Sequence, residues 1–317
     1  MVRNSTYVIC SGFEYQGNGL ANVARHPPPA ENLPIGKYGA NSIRDFILAW
    51  ICKLALALGI IMTAIYRFFA DRLQGFIRNF FKYWGYEIVK VASDYPPEER
   101  AIINYVQPFT GTSVERISGL INVVKYLSKN KIAGEFVECG VWRGGSMMAA
   151  MLTLIQLGDT SRHFYLYDTY EGMTPPTDKD VTNSGTSAAD LLATYKKKEG
   201  PGIWCIASLD DVKKNVFSTG YPPDKIHFIK GRVEDTLPAK IPKQIALLRL
   251  DTDWYESTYH ELFHLYPLLT PNGALILDDY GYWDGSRRAV DEYFAKQTFY
   301  PLLAKIDFSG RLSLKPR

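Results

Sequence analysis

Three aspartates stand where two apolar runs end. Arg249-Leu250-Asp251-Thr252-Asp253 closes one run, and Asp278-Asp279-Tyr280 closes the other. If the two runs are parallel neighbours in a sheet, Asp251, Asp278 and Asp279 meet at one rim. Carboxylates gathered without a counter-charge repel, so a shared divalent ion is the economical remedy, and oxygen-only donors suit magnesium. Three solvated acids capping the following segments are the alternative. A second constellation lies earlier, where Glu138-Cys139-Gly140-Val141-Trp142-Arg143-Gly144-Gly145-Ser146 joins an apolar run to a helical pattern. Its glycines allow a tight turn and close approach of a ligand to the backbone, and the helix start favours an anionic group. The next apolar run ends at Asp168, which is placed to accept from both hydroxyls of a ribose. Glycine turn and strand-end acid together form a nucleoside-binding arrangement, and it does not separate NAD from S-adenosylmethionine. A third motif, His260-Glu261-Leu262-Phe263-His264, matches the helical HExxH pattern of zinc hydrolases. It falls on the helix after the Asp251 run, so its side chains are expected to face away from the strand-end rim.

These residues need a scaffold, and the hydrophobic pattern supplies one. From Ile132 onward, short apolar runs at 135–140, 163–168, 225–231, 245–251 and 274–279 alternate with helical patterns near 145–157, 208–218, 256–269 and 286–297. That alternation predicts parallel strands with crossover helices, a doubly wound α/β domain whose ligands bind at the carboxyl ends of the strands. Two short runs around Ser309-Gly310 predict a hairpin that adds an antiparallel edge.

Composition narrows the function. In 317 residues the chain carries 36 basic and 33 acidic side chains, a net charge of +3, too balanced to imply a nucleic-acid groove on composition, and nucleic-acid binding is set aside. Cys10, Cys52, Cys139 and Cys205 are far apart and form no CxxC pair, which argues against a disulfide framework or thiolate zinc site and fits a reducing cytoplasm.

The N-terminal region has a different character. Residues 1–42 are rich in Pro and Gly and read as a loose tail, and the start has no secretory pattern. Residues 43–91 read as an apolar and aromatic helical segment. Within it, 46–66 is long enough to cross a bilayer but contains Lys53. Two readings stay open there: a single membrane anchor, or a buried or dimer-forming helix. Arg67, Arg72, Arg78 and Lys82 after the run would leave the catalytic part cytoplasmic by the positive-inside tendency, while Arg25, Lys37 and Arg44 before it weaken that orientation.

The motifs together resemble the macrocin O-methyltransferase family, magnesium-dependent S-adenosylmethionine enzymes that methylate sugar hydroxyls. The likeness runs over roughly 92–317 in the stretches FTGTSVERISGL, GEFVECGVWRGGS, LYDTYEGM, EDTLP, LLRLDTDWYESTYHELFHLYPLLTPNGALILDDYG and SRRAVDEYF, in that order. It implies a class I S-adenosylmethionine-dependent methyltransferase fold: Rossmann-like α/β, with a mostly parallel seven-stranded sheet, an antiparallel edge and, here, an N-terminal helical extension. The resemblance implies metal ligands at Asp251, Asp278 and Asp279, with Asp251 also the general base. It places the methionine part of the cofactor at Thr112, Ser113 and the turn with Glu138, Gly140, Val141, Arg143 and Gly144. The ribose then falls at Asp168 and Thr169, and the adenine near Ser208, Val233 and Glu234. Tyr170, Glu171 and Met173 to Ser187 resemble a mobile lid over the acceptor, which would be a small-molecule or glycan hydroxyl. A homodimer is implied as well. A zinc hydrolase using His260, Glu261 and His264, and a non-catalytic membrane-attached binding protein on the same fold, are the rival readings.

Overall fold

Nearly continuous apolar runs become the middle of the sheet because strands covered on both faces have no solvent side to make polar. In the computed structural model, which describes residues 95–195, 197 and 202–317 with positions 72, 73, 75, 76 and 83, every residue of Ile245–Leu250 is buried. The chain divides into two units, Met1–Val91 and Ala92–Arg317. In the first, the five described positions are helical. The tail 1–42 and the apolar run 46–66 lie outside the described residues. Among the described residues no helix is long and apolar enough to cross a membrane.

In the second unit the strands are β1 Glu135–Cys139, β2 Phe164–Asp168, β3 Ile226–Lys230, β4 Ile245–Leu250, β5 Leu269–Leu277, β6 Ala304–Lys305 and β7 Arg311–Leu314. The helices are α1 Pro97–Val106, α2 Val114–Lys129, α3 Gly145–Gln156, α4 Ala188–Thr194, α5 Leu209–Phe217, α6 Val233–Thr236, α7 Tyr255–Leu265 and α8 Asp284–Ala295. The sheet order is β3-β2-β1-β4-β5-β7-β6, with β1 to β5 parallel and β7 antiparallel to both of its neighbours. The expected α/β class and antiparallel edge are both present. Alternation within each strand splits the core: Phe136 and Leu247 pack with α1, α2, α3 and α5 on one face, while Val137 and Leu248 pack with α7 and α8 on the other.

Three local features differ from the sequence pattern. Helix α1 starts in the Asp94 to Glu99 break, as its prolines and acids allow, but α2 also precedes β1, where the sequence pattern places nothing; Ser113 caps α2 by accepting from the Arg116 amide at 3.1 Å. β5 begins at Leu269 rather than Ala274, because Asn272 turns through a positive φ of 65° and bonds to Lys315 just past β7. Finally, Tyr170 turns into the core, with its hydroxyl on the Leu166 carbonyl.

The strand order reverses between β1 and β4, which opens a crevice at their carboxyl ends. Ladder bonds carry on just beyond the strands: the Gly140 amide donates to Tyr167 O, Asp251 N to Cys139 O and Asp278 N to Leu250 O, each at 2.9 Å. Those bonds draw the chemistry-bearing loops together.

Candidate functional site

At Gly140 (φ 82°) a Cβ would collide with the Asp251 carbonyl, so only glycine lets the β1 turn pass this close to the end of β4. Gly144 (φ 91°) starts α3, and Gly145 packs on the Phe109 carbonyl. A cavity of about 260 Å³ opens above this turn. Its lining includes Thr112, Gly140, Asp168, Thr169, Val233, Glu234, Asp251, Asp278 and Asp279, nine of the residues singled out in the sequence.

The other six lie outside that lining for identifiable reasons. Ser113 bonds Asp307 at 2.7 Å. Glu138 is buried on Arg249 at 2.7 Å. Val141 turns its amide onto Asp168 at 2.7 Å. Arg143 reaches away to Asp211 at 3.0 Å and to the Pro108 carbonyl. Gly144 is pressed against Val216, and Ser208 is exposed where it caps α5.

Asp168 is more occupied than a ribose-binding acid in waiting. One oxygen accepts from the Val141 and Trp142 amides at 2.7 and 2.9 Å, and the other accepts from the Tyr170 amide at 2.7 Å and the Thr169 hydroxyl at 3.4 Å. Four acceptor positions are thus filled, and a ribose hydroxyl would have to replace the long Thr169 bond. The carboxylate therefore also shapes the glycine turn. Burial raises its pKa, against the pull of these donors.

Asp251, Asp278 and Asp279 each place an oxygen within 4.8 Å of the others. Their expected lack of counter-charge is corrected by two arginines. Arg249 donates to Asp251 at 2.7 Å and to Asp278 at 2.5 Å, and Arg116 reaches the other Asp278 oxygen. The cluster still holds more acid than base, since Asp253 and Asp279 have no arginine hydrogen-bonded to them among the described residues. Burial first, and then repulsion among Asp251, Asp253, Asp278 and Asp279, pushes the Asp251 and Asp279 carboxyls well up and Asp253 to about 8. Glu138 rises to about 7, mainly through burial. Clustered oxygen donors with excess negative charge suit a hard divalent cation.

A second cavity of about 530 Å³ shares Met173, Cys205, Asp253 and Asp279 with the first and is otherwise walled largely by Leu191, Tyr195, Ile203, Tyr282, Trp283 and Phe308. Of the stretch Met173 to Ser187, Met173 lines it and later residues are tied to the elements beside it. Asp180, 1% exposed, accepts from the Tyr255 amide at 2.8 Å, and Asn183 donates from N to Tyr282 O and from Nδ2 to Gly281 O. Glu171 is exposed and pairs with Lys230.

On α7 the HExxH side chains part company. His260 and His264 have ring centroids 4.4 Å apart, whereas Glu261 is fully buried, with neither oxygen hydrogen-bonded. Among the described residues, the three aspartates alone gather as a group of three or more metal-binding side chains.

Sequence reasoning passed over Arg249, Arg116, Asp253 and Trp142. Arg249 had a legible signal, a single charge inside an apolar strand. Arg116 had none, because its role depends on α2 lying beside the end of β5.

An open α/β sheet with this order and a glycine-turned crevice at its switch point defines the class I S-adenosylmethionine-dependent methyltransferases. Within that class a family model described as macrocin-O-methyltransferase matches residues 88–312, and the chain belongs to that family of S-adenosylmethionine-dependent O-methyltransferases. It is 33% identical over 201 residues to the 8-demethyl-8-(2,3-dimethoxy-alpha-L-rhamnosyl)-tetracenomycin-C 4'-O-methyltransferase of Streptomyces olivaceus, covering 63% of this chain and 73% of that one. It is 30% identical to the mycinamicin III 3''-O-methyltransferase of Micromonospora griseorubida, covering 63% and 76%. The solved structure of the O-methyltransferase NovP superposes with a TM-score of 0.57 at 29% identity, covering 66% of this chain and 83% of that one.

Proposed function

We propose that the protein transfers a methyl group from S-adenosylmethionine to a sugar hydroxyl of a glycosylated metabolite, with magnesium bound by Asp251, Asp278 and Asp279. One observation carries this reading: the three carboxylates converge where the two cavities adjoin, with Asp279 lining both. The tetracenomycin relative is named for methylating a rhamnosyl-bearing metabolite, and Trp283, Tyr282 and Phe308 offer the second cavity the apolar faces on which a sugar ring and its aglycone pack.

Bound in this crevice, S-adenosylmethionine supplies an electrophilic methyl, and a divalent ion supplies charge that lowers the pKa of the acceptor hydroxyl. The chain supplies alignment and a base. Asp251, 29% exposed at its side chain and held by Arg249, faces the cavity and takes the hydroxyl proton at a carboxylate oxygen. Thr112 and Gly140 face the methionine part, while Glu138, Val141, Arg143 and Gly144 shape the turn around Gly140 and Ser113 fixes the start of α2. Asp168 and Thr169 serve the ribose, and Val233 and Glu234 border the adenine, with Ser208 left as the cap of α5. The tied-down stretch Met173 to Ser187 keeps water from the acceptor side.

The test is calorimetry of S-adenosylhomocysteine binding to the full chain, followed by a magnesium titration of wild type and Asp251→Asn. Saturable nucleoside binding with a magnesium site lost in the variant supports the reading. A folded protein that binds no nucleoside removes it. If 46–66 anchors the chain, the acceptor is membrane-proximal, and recovery of the full-length protein in the soluble fraction of lysed cells would refute that. The family resemblance supports a homodimer, to be checked by sedimentation.

A further inference from the structure

Arg249 sits inside β4 and is 3% exposed, where an unpaired guanidinium would be strongly destabilising. It is fully paired. Nη1 donates to Glu138 and Asp251, each at 2.7 Å, and Nη2 donates to Asp278 at 2.5 Å. Asp278 is held on its second oxygen by Arg116, whose Nε donates to Asp307 at 2.9 Å. Asp307 in turn is fixed in the β6–β7 turn by the amides of Ser309 and Gly310, at 2.9 and 2.6 Å. Acid and arginine therefore alternate along one continuous hydrogen-bonded ladder: Asp307, Arg116, Asp278, Arg249, then Asp251 and Glu138. Arg249 is buried and Arg116 borders the second cavity, while Asp251 keeps an exposed flank and, among the described residues, no arginine is bonded to Asp279.

We propose that Arg249 and Arg116 are built-in counter-ions of the acid cluster: they hold Asp251 and Asp278 in place without a bound metal, and they thereby weaken the cluster's hold on a divalent cation. This rests on the reading of the three aspartates as cation ligands. A cation at the rim and the guanidinium behind Asp278 act on the same carboxylate with charges of the same sign, so the two are anti-cooperative. The site is assembled in advance, and the ion it takes is exchangeable rather than permanently held. The same ladder gives the C-terminal hairpin a role. Although Asp307 lies outside the lining of the two cavities, it orients Arg116 and so influences the cation.

The test is magnesium binding by calorimetry, with thermal unfolding in chelator and in excess magnesium, on the full-length protein. Arg116→Gln removes one counter-ion on α2, away from the β4 core. It is expected to bind magnesium about tenfold more tightly than wild type, from the loss of one nearby unit charge. It should also melt lower than wild type in chelator and recover a larger share of its stability when magnesium is added. Arg116→Lys keeps the charge and is expected to stay within about twofold of the wild-type affinity. Asp307→Asn removes the acid that offsets the Arg116 charge, leaves the guanidinium to act on Asp278 alone, and should weaken binding by about twofold. An Arg116→Gln protein that folds only with magnesium supports the proposal outright. Unchanged or weaker magnesium binding in Arg116→Gln, or tighter binding in Asp307→Asn, with normal binding in wild type, overturns it and leaves the metal reading standing. If wild type and variants all bind S-adenosylhomocysteine but no magnesium, the metal reading falls and this proposal falls with it.

Discussion

Asp251 and the Asp278-Asp279 pair are separated in sequence by a helix and a strand, yet their oxygens come within 4.8 Å of one another. His260, Glu261 and His264 share a single helix turn, yet only the two histidines meet, and Glu261 is buried away from solvent without a hydrogen-bond partner. The difference lies in what sets convergence. Helix spacing brings i and i+4 together on one face and turns i+1 roughly a quarter of the way around, so a third ligand must come from another element. In a parallel sheet, neighbouring strands end at the same rim, and ladder bonds beyond the strands fix how closely the loops approach. Proximity along the chain is a weak guide to a site; shared polarity of adjacent strands is a strong one.

The sharpest break of that comparison is Asp278→Asn against the double variant His260→Ala/His264→Ala. The first should weaken magnesium binding at least about a hundredfold and reduce methyl transfer by about a thousandfold, while the second leaves both within about threefold, read by calorimetry and by S-adenosylhomocysteine release. If the double variant loses transfer and Asp278→Asn does not, the roles assigned to the two regions are reversed. Gly140→Ala comes next. Its positive φ and its collision with the Asp251 carbonyl should lower stability by about 2–4 kcal/mol in urea unfolding, against about 1 kcal/mol for Gly158→Ala, which also has a positive φ but open space around it.

The pH response is smaller and has a definite sign. Carboxyls whose pKa is raised on folding, such as Asp253 at about 8 and Glu138 at about 7, contribute stability that is fully present below their unfolded values of 3.8 and 4.5. That contribution is lost as pH rises through the folded values. Metal-free protein should therefore melt at lower temperature as pH is raised from about 4 to about 8, and excess magnesium should flatten the decline. The smallest effect belongs to Glu261→Gln. Burial raises the Glu261 pKa well above its ordinary value, which favours the neutral acid, and the amide is nearly isosteric with that form. Stability should change by less than about 1 kcal/mol and methyl transfer should be unaffected, whereas an HExxH hydrolase would lose its base.

Much of this molecule could be read along the chain. Alternating apolar runs and helical patterns from Ile132 determined an α/β sheet, the Ser309-Gly310 pair marked the antiparallel hairpin, and the acids and glycines at the run ends marked the rim. These are local properties, carried by side-chain periodicity and by turn residues whose conformational needs are intrinsic. Strand order, the pairing of Arg249 with three acids, the reach of Arg116 from α2 to Asp278, the inward turn of Tyr170 and the filling of Asp168 by backbone amides were decided only in the folded structure. Each depends on which distant elements come to lie side by side, and a buried charge has no energy that can be assigned until its partners and its distance from water are in place.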